Sequence, residues 1–85
     1  MQAARMVKRE SAQHRRTQAE RSEATRRALL EHARTLFAAK GYAGAGREEI
    51  VAAAGVTRGA LQHHFGDKLA LFQAVYEAVE QEVVE

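Results

Sequence analysis

The chain has 85 residues, enough for one small domain, and its many Ala, Leu, Glu, Arg and Gln residues with no proline favour helix throughout. Without cysteine it has neither a disulfide framework nor a thiolate metal site, and no apolar run approaches the roughly 20 residues needed to span a bilayer. The net charge of +2 hides an asymmetry, because Arg5, Lys8, Arg9, Arg15, Arg16, Arg21, Arg26 and Arg27 all precede a mildly acidic remainder.

A basic arm ahead of a less basic body is a footprint for a polyanion, or else a solvated leader. Residues 1–16 have few large apolar groups (Met1, Met6, Val7) and no helical stripe. The arm has three readings: it enters a minor groove, extends the first helix, or remains disordered. Disorder in the free chain, with phosphate contacts once DNA is bound, is the expectation. The arm lacks the aromatic or leucine anchors of a membrane-inserting segment. The N-terminus also lacks the apolar stretch of a secretory signal, which makes a cytoplasmic location the expectation.

Thr17-Gln18-Ala19-Glu20 has the form of a capping box, and Ser22 offers a second start for the same helix. The first helix is predicted from Thr17–Ser22 to Lys40. Leu29, Leu30, Ala33, Leu36 and Phe37 give it one apolar face. Lys40 suits the helix C-terminus, Gly41 is expected as a left-handed cap, and Tyr42 is expected to tuck back on the core. Ala43-Gly44-Ala45-Gly46 is predicted as a loop. The second helix is predicted from Arg47 to Ala53 or Ala54, with Glu48 and Glu49 at its positive end and Ile50, Ala53 and Ala54 inside. Gly55 then makes a turn, Val56 plugs the core, and Thr57 caps a third, very short helix anchored by Leu61 and Phe65. Gly66-Asp67 breaks that helix. Asp67 is expected to cap a fourth, from Lys68 to Glu85, whose stripe is Leu71, Phe72, Val75, Val79 and Val83. The fold class is therefore all-α: a three-helix unit over residues 17–66 and the start of a fourth helix over 67–85.

A helix of about two turns is not stable alone, so the third helix must be held by its neighbours. Its outward residues Arg58, Gln62 and His63 are side chains suited to reading base edges. Two short helices joined by a glycine turn form a helix-turn-helix, whose second helix lies in the major groove.

Arg26, Leu29-Leu30, Ala33, Leu36-Phe37, Gly41-Tyr42, Ile50, Ala54-Gly55-Val56-Thr57, Gly59, Leu61, His64-Phe65, Lys68 and Leu71 together resemble the TetR family of bacterial transcriptional repressors. The likeness covers about residues 22–80. It implies a DNA-binding head whose fourth helix leads into a larger ligand-binding and dimerising domain. It also implies a palindromic double-stranded operator, homodimeric full-length relatives, a small-molecule inducer acting through that further domain, and a bacterial, nucleoid-associated location. The resemblance implies that Thr57, Arg58, Gly59, Gln62 and His63 face DNA, that Lys68 contacts a phosphate, and that Arg47 lies near the backbone. Physically, Arg58 is able to donate twice to guanine O6 and N7, Gln62 is able to pair with adenine N6 and N7, and Lys68 with helix N-terminal amides suits phosphate.

The sequence departs from the family at four points. Ala45-Gly46 stands where Thr-Ser or Thr-Thr is usual, so a hydroxyl cap and a phosphate contact are missing. Gln62 stands where Tyr is usual, and Arg47 where an apolar residue is common. The chain also stops inside the fourth helix, which reads as a DNA-binding fragment or an unusual minimal protein, expected to be monomeric and to bind a half-site.

Other chemistries fit poorly. Adjacent His63 and His64 point about 100° apart on a helix and chelate one ion badly. Consecutive Glu48 and Glu49 likewise diverge and make a poor catalytic pair. The glycines from Gly41 to Gly46 lack a phosphate-loop Lys-Ser/Thr. No catalytic set, cofactor or metal site is expected, and the competing function is a helical protein-interaction module that kept the fold but lost DNA affinity.

Overall fold

The computed structural model describes residues 17–83; the predicted arm 1–16, the Val83 side chain and the continuation to Glu85 lie outside the described residues. Four helices follow in order: α1 (Gln18–Gly44), α2 (Arg47–Ala54), α3 (Arg58–His64) and α4 (Lys68–Val83).

The start of α1 is settled by Thr17 rather than Ser22. The Glu20 amide donates to Thr17 Oγ1 at 3.1 Å, and the Thr17 amide donates to Glu20 Oε1 at 3.2 Å. This reciprocal box satisfies two amides that the first turn leaves open. At the other end the prediction needs correction. Gly41 has φ 79° and ψ 170°, a positive φ without the left-handed helical ψ. It kinks the chain rather than capping it, and Tyr42–Gly44 make one more turn in place of a loop, closed by Ala45 N–H on the Gly41 carbonyl at 3.2 Å. The kink brings the Tyr42 ring back over Phe37, centroids 5.9 Å apart, and Phe72 meets both rings edge-on at 5.1 and 5.2 Å. Ring pairs in these arrangements add to plain area burial.

The helix-turn-helix is built at Gly55. Its φ of 71° and ψ of 31° lie in the left-handed region, where a Cβ is costly. Val56 N–H returns to the Val51 carbonyl at 3.0 Å and Gly55 N–H to Ala52 at 3.2 Å, the paired bonds of a Schellman ending. Those bonds carry Val51 and Val56 into the core. Ala53, expected inside, is exposed instead: α2 turns its Ile50–Val51 side to the core, and Ala53 falls outside that arc.

The core is Leu29, Ala33, Phe37, Ala45, Ile50, Val51, Leu61, Leu71 and Val75. Leu30, Leu36, Ala54, Val56, Phe65, Phe72 and Val79 pack around it, partly buried. Leu29, Ile50 and Leu71 have no exposed surface, one each from α1, α2 and α4, and each such burial stabilises by about 1.5–3 kcal/mol. Ala45, read from sequence as a loop residue, is also fully buried between α1 and α2. α1 packs on all three other helices, and α3 is held between α1 and α2.

Candidate nucleic-acid interface

α3 has seven residues and needs external support at both ends. At its start Thr57 Oγ1 accepts the Ala60 amide at 3.1 Å. The hydroxyl proton remains available to an outside acceptor. Leu61 is buried and fixes the inner side, leaving Thr57, Arg58, Gly59, Gln62 and His63 exposed. A Cβ on Gly59 would meet nothing closer than Thr57 Oγ1 at 3.7 Å, so nothing within the fold requires a glycine there. His64 is half-buried, its ring edge-on to His63 at 5.1 Å.

Arg47, Arg58 and Gln62 come together from α2 and α3. With Leu61 and Gly66 they line a small cavity of about 100 Å³. Arg47 makes no ion pair with the described residues and stands beside an α2 start capped by Gly46 without any side-chain hydrogen bond. That bare cap is the consequence expected of Ala45-Gly46.

Lys68 lies apart from this cavity, at the first turn of α4. Asp67 Oδ1 accepts the Ala70 amide at 2.8 Å and caps the helix as predicted. The Lys68 ammonium sits 4.3 Å from the centroid of the Tyr42 ring, so an aromatic face holds the charged end of the side chain. On the neighbouring side the Arg26 guanidinium covers Phe65, 5.3 Å from the ring centroid.

Sequence reasoning missed how the acids of α2 are used. Glu48 and Glu49 diverge as predicted, yet each reaches a cation on a different helix. Lys40 Nζ donates to Glu49 at 2.5 Å, tying α2 to the end of α1. Arg58 Nη2 donates to Glu48 Oε2, tying α2 to α3. Both partners of the second pair are well exposed, at 69% and 74%, which limits its worth to about 1 kcal/mol or less. The ten-residue separation of Glu48 and Arg58 carries no local signal; only the tight turn brings them face to face. Among the described residues no group of three or more metal-ligating side chains is present.

The sequence pattern of bacterial regulatory proteins of the tetR family matches residues 29–75, from the core of α1 to the core of α4. The chain belongs to the TetR family. Individual relatives agree. The HTH-type transcriptional regulator CymR of Pseudomonas putida is 44% identical over 71 residues, 84% of this chain and 35% of CymR. The HTH-type transcriptional repressor AcnR of Corynebacterium efficiens is 49% identical over 51 residues, 60% of this chain and 27% of AcnR. A crystal structure of a TetR-family transcriptional regulator from Pectobacterium atrosepticum superposes with a TM-score of 0.65 at 49% identity, covering 79% of this chain and 34% of that one. The chain thus spans about a third of the length of these relatives. What it carries is the helix-turn-helix DNA-binding unit of a family of regulators, not of enzymes. No helix among the described residues is long and apolar enough to cross a membrane.

Proposed function

We propose that this TetR-family unit reads double-stranded DNA by laying α3 in the major groove, with Arg58, Gln62 and His63 toward base edges. The observation that carries the reading is the convergence of Arg47, Arg58 and Gln62, all exposed, on one cavity that the core residue Leu61 also lines. Arg58 offers two donors to guanine, and Gln62 a donor and an acceptor to adenine. Thr57, Arg47 and Lys68 flank these readers and supply phosphate contacts, and the basic arm 1–16 adds more. Gly59 lets the backbone approach the groove, a role consistent with the open space around its α-carbon. The operator is palindromic and is occupied by a dimer formed through a further domain, as a repressor released by a small molecule. The chain's place is the cytoplasm, on the bacterial nucleoid.

Selection of bound duplexes from a randomised DNA library, followed by salt titration of the recovered duplex, tests the proposal. The expected result is a preferred half-site containing guanine, with affinity falling steeply as salt rises. A flat selection and no DNA shift at low salt would refute it.

A further inference from the structure

Glu48 stands on the face assigned to DNA, where an acid is electrostatically out of place. An uncompensated carboxylate there would repel the phosphate backbone. It is not uncompensated: Arg58 Nη2 donates to Glu48 Oε2 across the turn. We propose that Glu48 is a positioning residue that holds the Arg58 guanidinium in its reading orientation and stays paired with it on DNA. The inference rests on the reading of α3 as the DNA-facing helix.

The chemistry of the guanidinium allows both partners at once. Arginine carries five N–H donors in a rigid planar fork, and Glu48 takes one of them. A two-donor edge is left for the O6 and N7 of guanine. The gain comes from ordering. A free arginine side chain loses much rotamer freedom when it docks, and a partner that fixes the plane beforehand removes part of that loss. Arg58 is largely exposed, so packing alone does little to fix its guanidinium. Glu48 is itself set by the backbone of α2, one residue from the Glu49–Lys40 pair that ties this turn to α1.

The sign of the effect separates this role from plain electrostatics. Removing an acid from a DNA-facing surface should tighten binding to every duplex alike. A positioning role predicts that sequence preference falls instead. The test uses the 85-residue chain with two duplexes: the one recovered by selection with the parent chain, and a scrambled duplex of the same composition.

Glu48→Ala is expected to lower the selected-to-scrambled affinity ratio about two- to fivefold, the range of a coupled exposed pair, while scrambled DNA binds no worse. Glu48→Gln, which keeps an acceptor oxygen, should fall between. In an Arg58→Ala background Glu48→Ala should leave the ratio unchanged. Re-selection with Glu48→Ala should weaken the preference at the guanine that Arg58→Ala also abolishes. An equal rise on both duplexes would overturn the inference, as would the same fall without Arg58. A lost preference confined to a cytosine that Arg58→Ala leaves intact would mean direct reading by Glu48 and would overturn it too. Arg58→Ala without any loss of preference would instead sink the assignment of Arg58 as a base reader. Circular dichroism of each variant checks that the helices are retained.

Discussion

α1 and α4 differ from α2 and α3 in how they are held. The outer pair is long, 27 and 16 residues, with apolar stripes that supply Leu29, Ala33, Phe37, Leu71 and Val75 to the core. α2 and α3 have eight and seven residues and supply Ile50, Val51 and Leu61. Helices that short are positioned by what surrounds them: a Schellman ending, a threonine cap, and ion pairs to Lys40 and Arg58. The frame is therefore where stability resides, and the short pair is where surface chemistry is displayed. A recognition element that adds few core contacts is free to vary its outward side chains at little cost to folding.

Breaking the frame should give the largest effect. Leu29→Ala removes a fully buried side chain of α1 and is expected to cost about 2–5 kcal/mol in urea or thermal unfolding. A cost below 1 kcal/mol would mean that α1 is not the centre of the core. The complementary change lies on α3. Arg58→Ala should alter stability by no more than about 0.5 kcal/mol yet remove about 1–3 kcal/mol of base discrimination, measured on selected and scrambled duplexes. Lys68→Ala should weaken all duplexes alike and reduce the salt slope by about one, checked by anisotropy titrations at several salt concentrations.

Gly59→Ala sharpens the contrast, because it should move stability and binding in opposite directions. The fold has room for the methyl group, so thermal stability should rise by about 0.5–1 kcal/mol while DNA affinity falls. Unchanged affinity would remove the close approach of backbone to groove.

The smallest effect is a pH dependence between the outer helices. Arg34 Nη1 donates to Glu82 Oε2 at 2.7 Å; that hydrogen bond, aided by the charge attraction, lowers the Glu82 carboxyl below its usual value and raises Arg34. A depressed carboxylate adds stability above the usual carboxylate range and loses it as pH falls through the lowered value. Glu82→Gln should abolish that slight acid-side decline in melting temperature, and an identical decline in the variant would remove the pair from the account.

Much of this was legible in the residues. The capping box at Thr17 and Glu20, the stripe from Leu29 to Phe37, the Gly55 turn, and the caps at Thr57 and Asp67 are local signals set by hydrogen bonds spanning five or fewer residues. The misread places were those where long-range packing overrode local tendency. Gly41 passed for an ordinary left-handed cap because only φ follows from being glycine; its ψ of 170° belongs to a chain pulled back so that Tyr42 packs on Phe37 and Phe72. Ala45 lies outside the helices as expected, but its burial went unread because small residues between glycines carry no periodicity. The outward residues of α3 were readable from the inward pull of Leu61, whereas the Glu48 and Tyr42 partners of Arg58 and Lys68 were not.

The sequence by itself determined the four helices of the described residues, the caps at Thr17, Gly55, Thr57 and Asp67, and the identity of the side chains on the presented face. Those properties rest on periodicity and on bonds within a turn of the chain. Only the tertiary structure decided that Glu48 would meet Arg58, that Tyr42 would lie under Lys68, and that Arg47 and Gln62 would share one cavity. Such pairings depend on the angle between helices, which is fixed by how Ile50, Val51 and Leu61 settle against α1 and leaves no trace in any one segment.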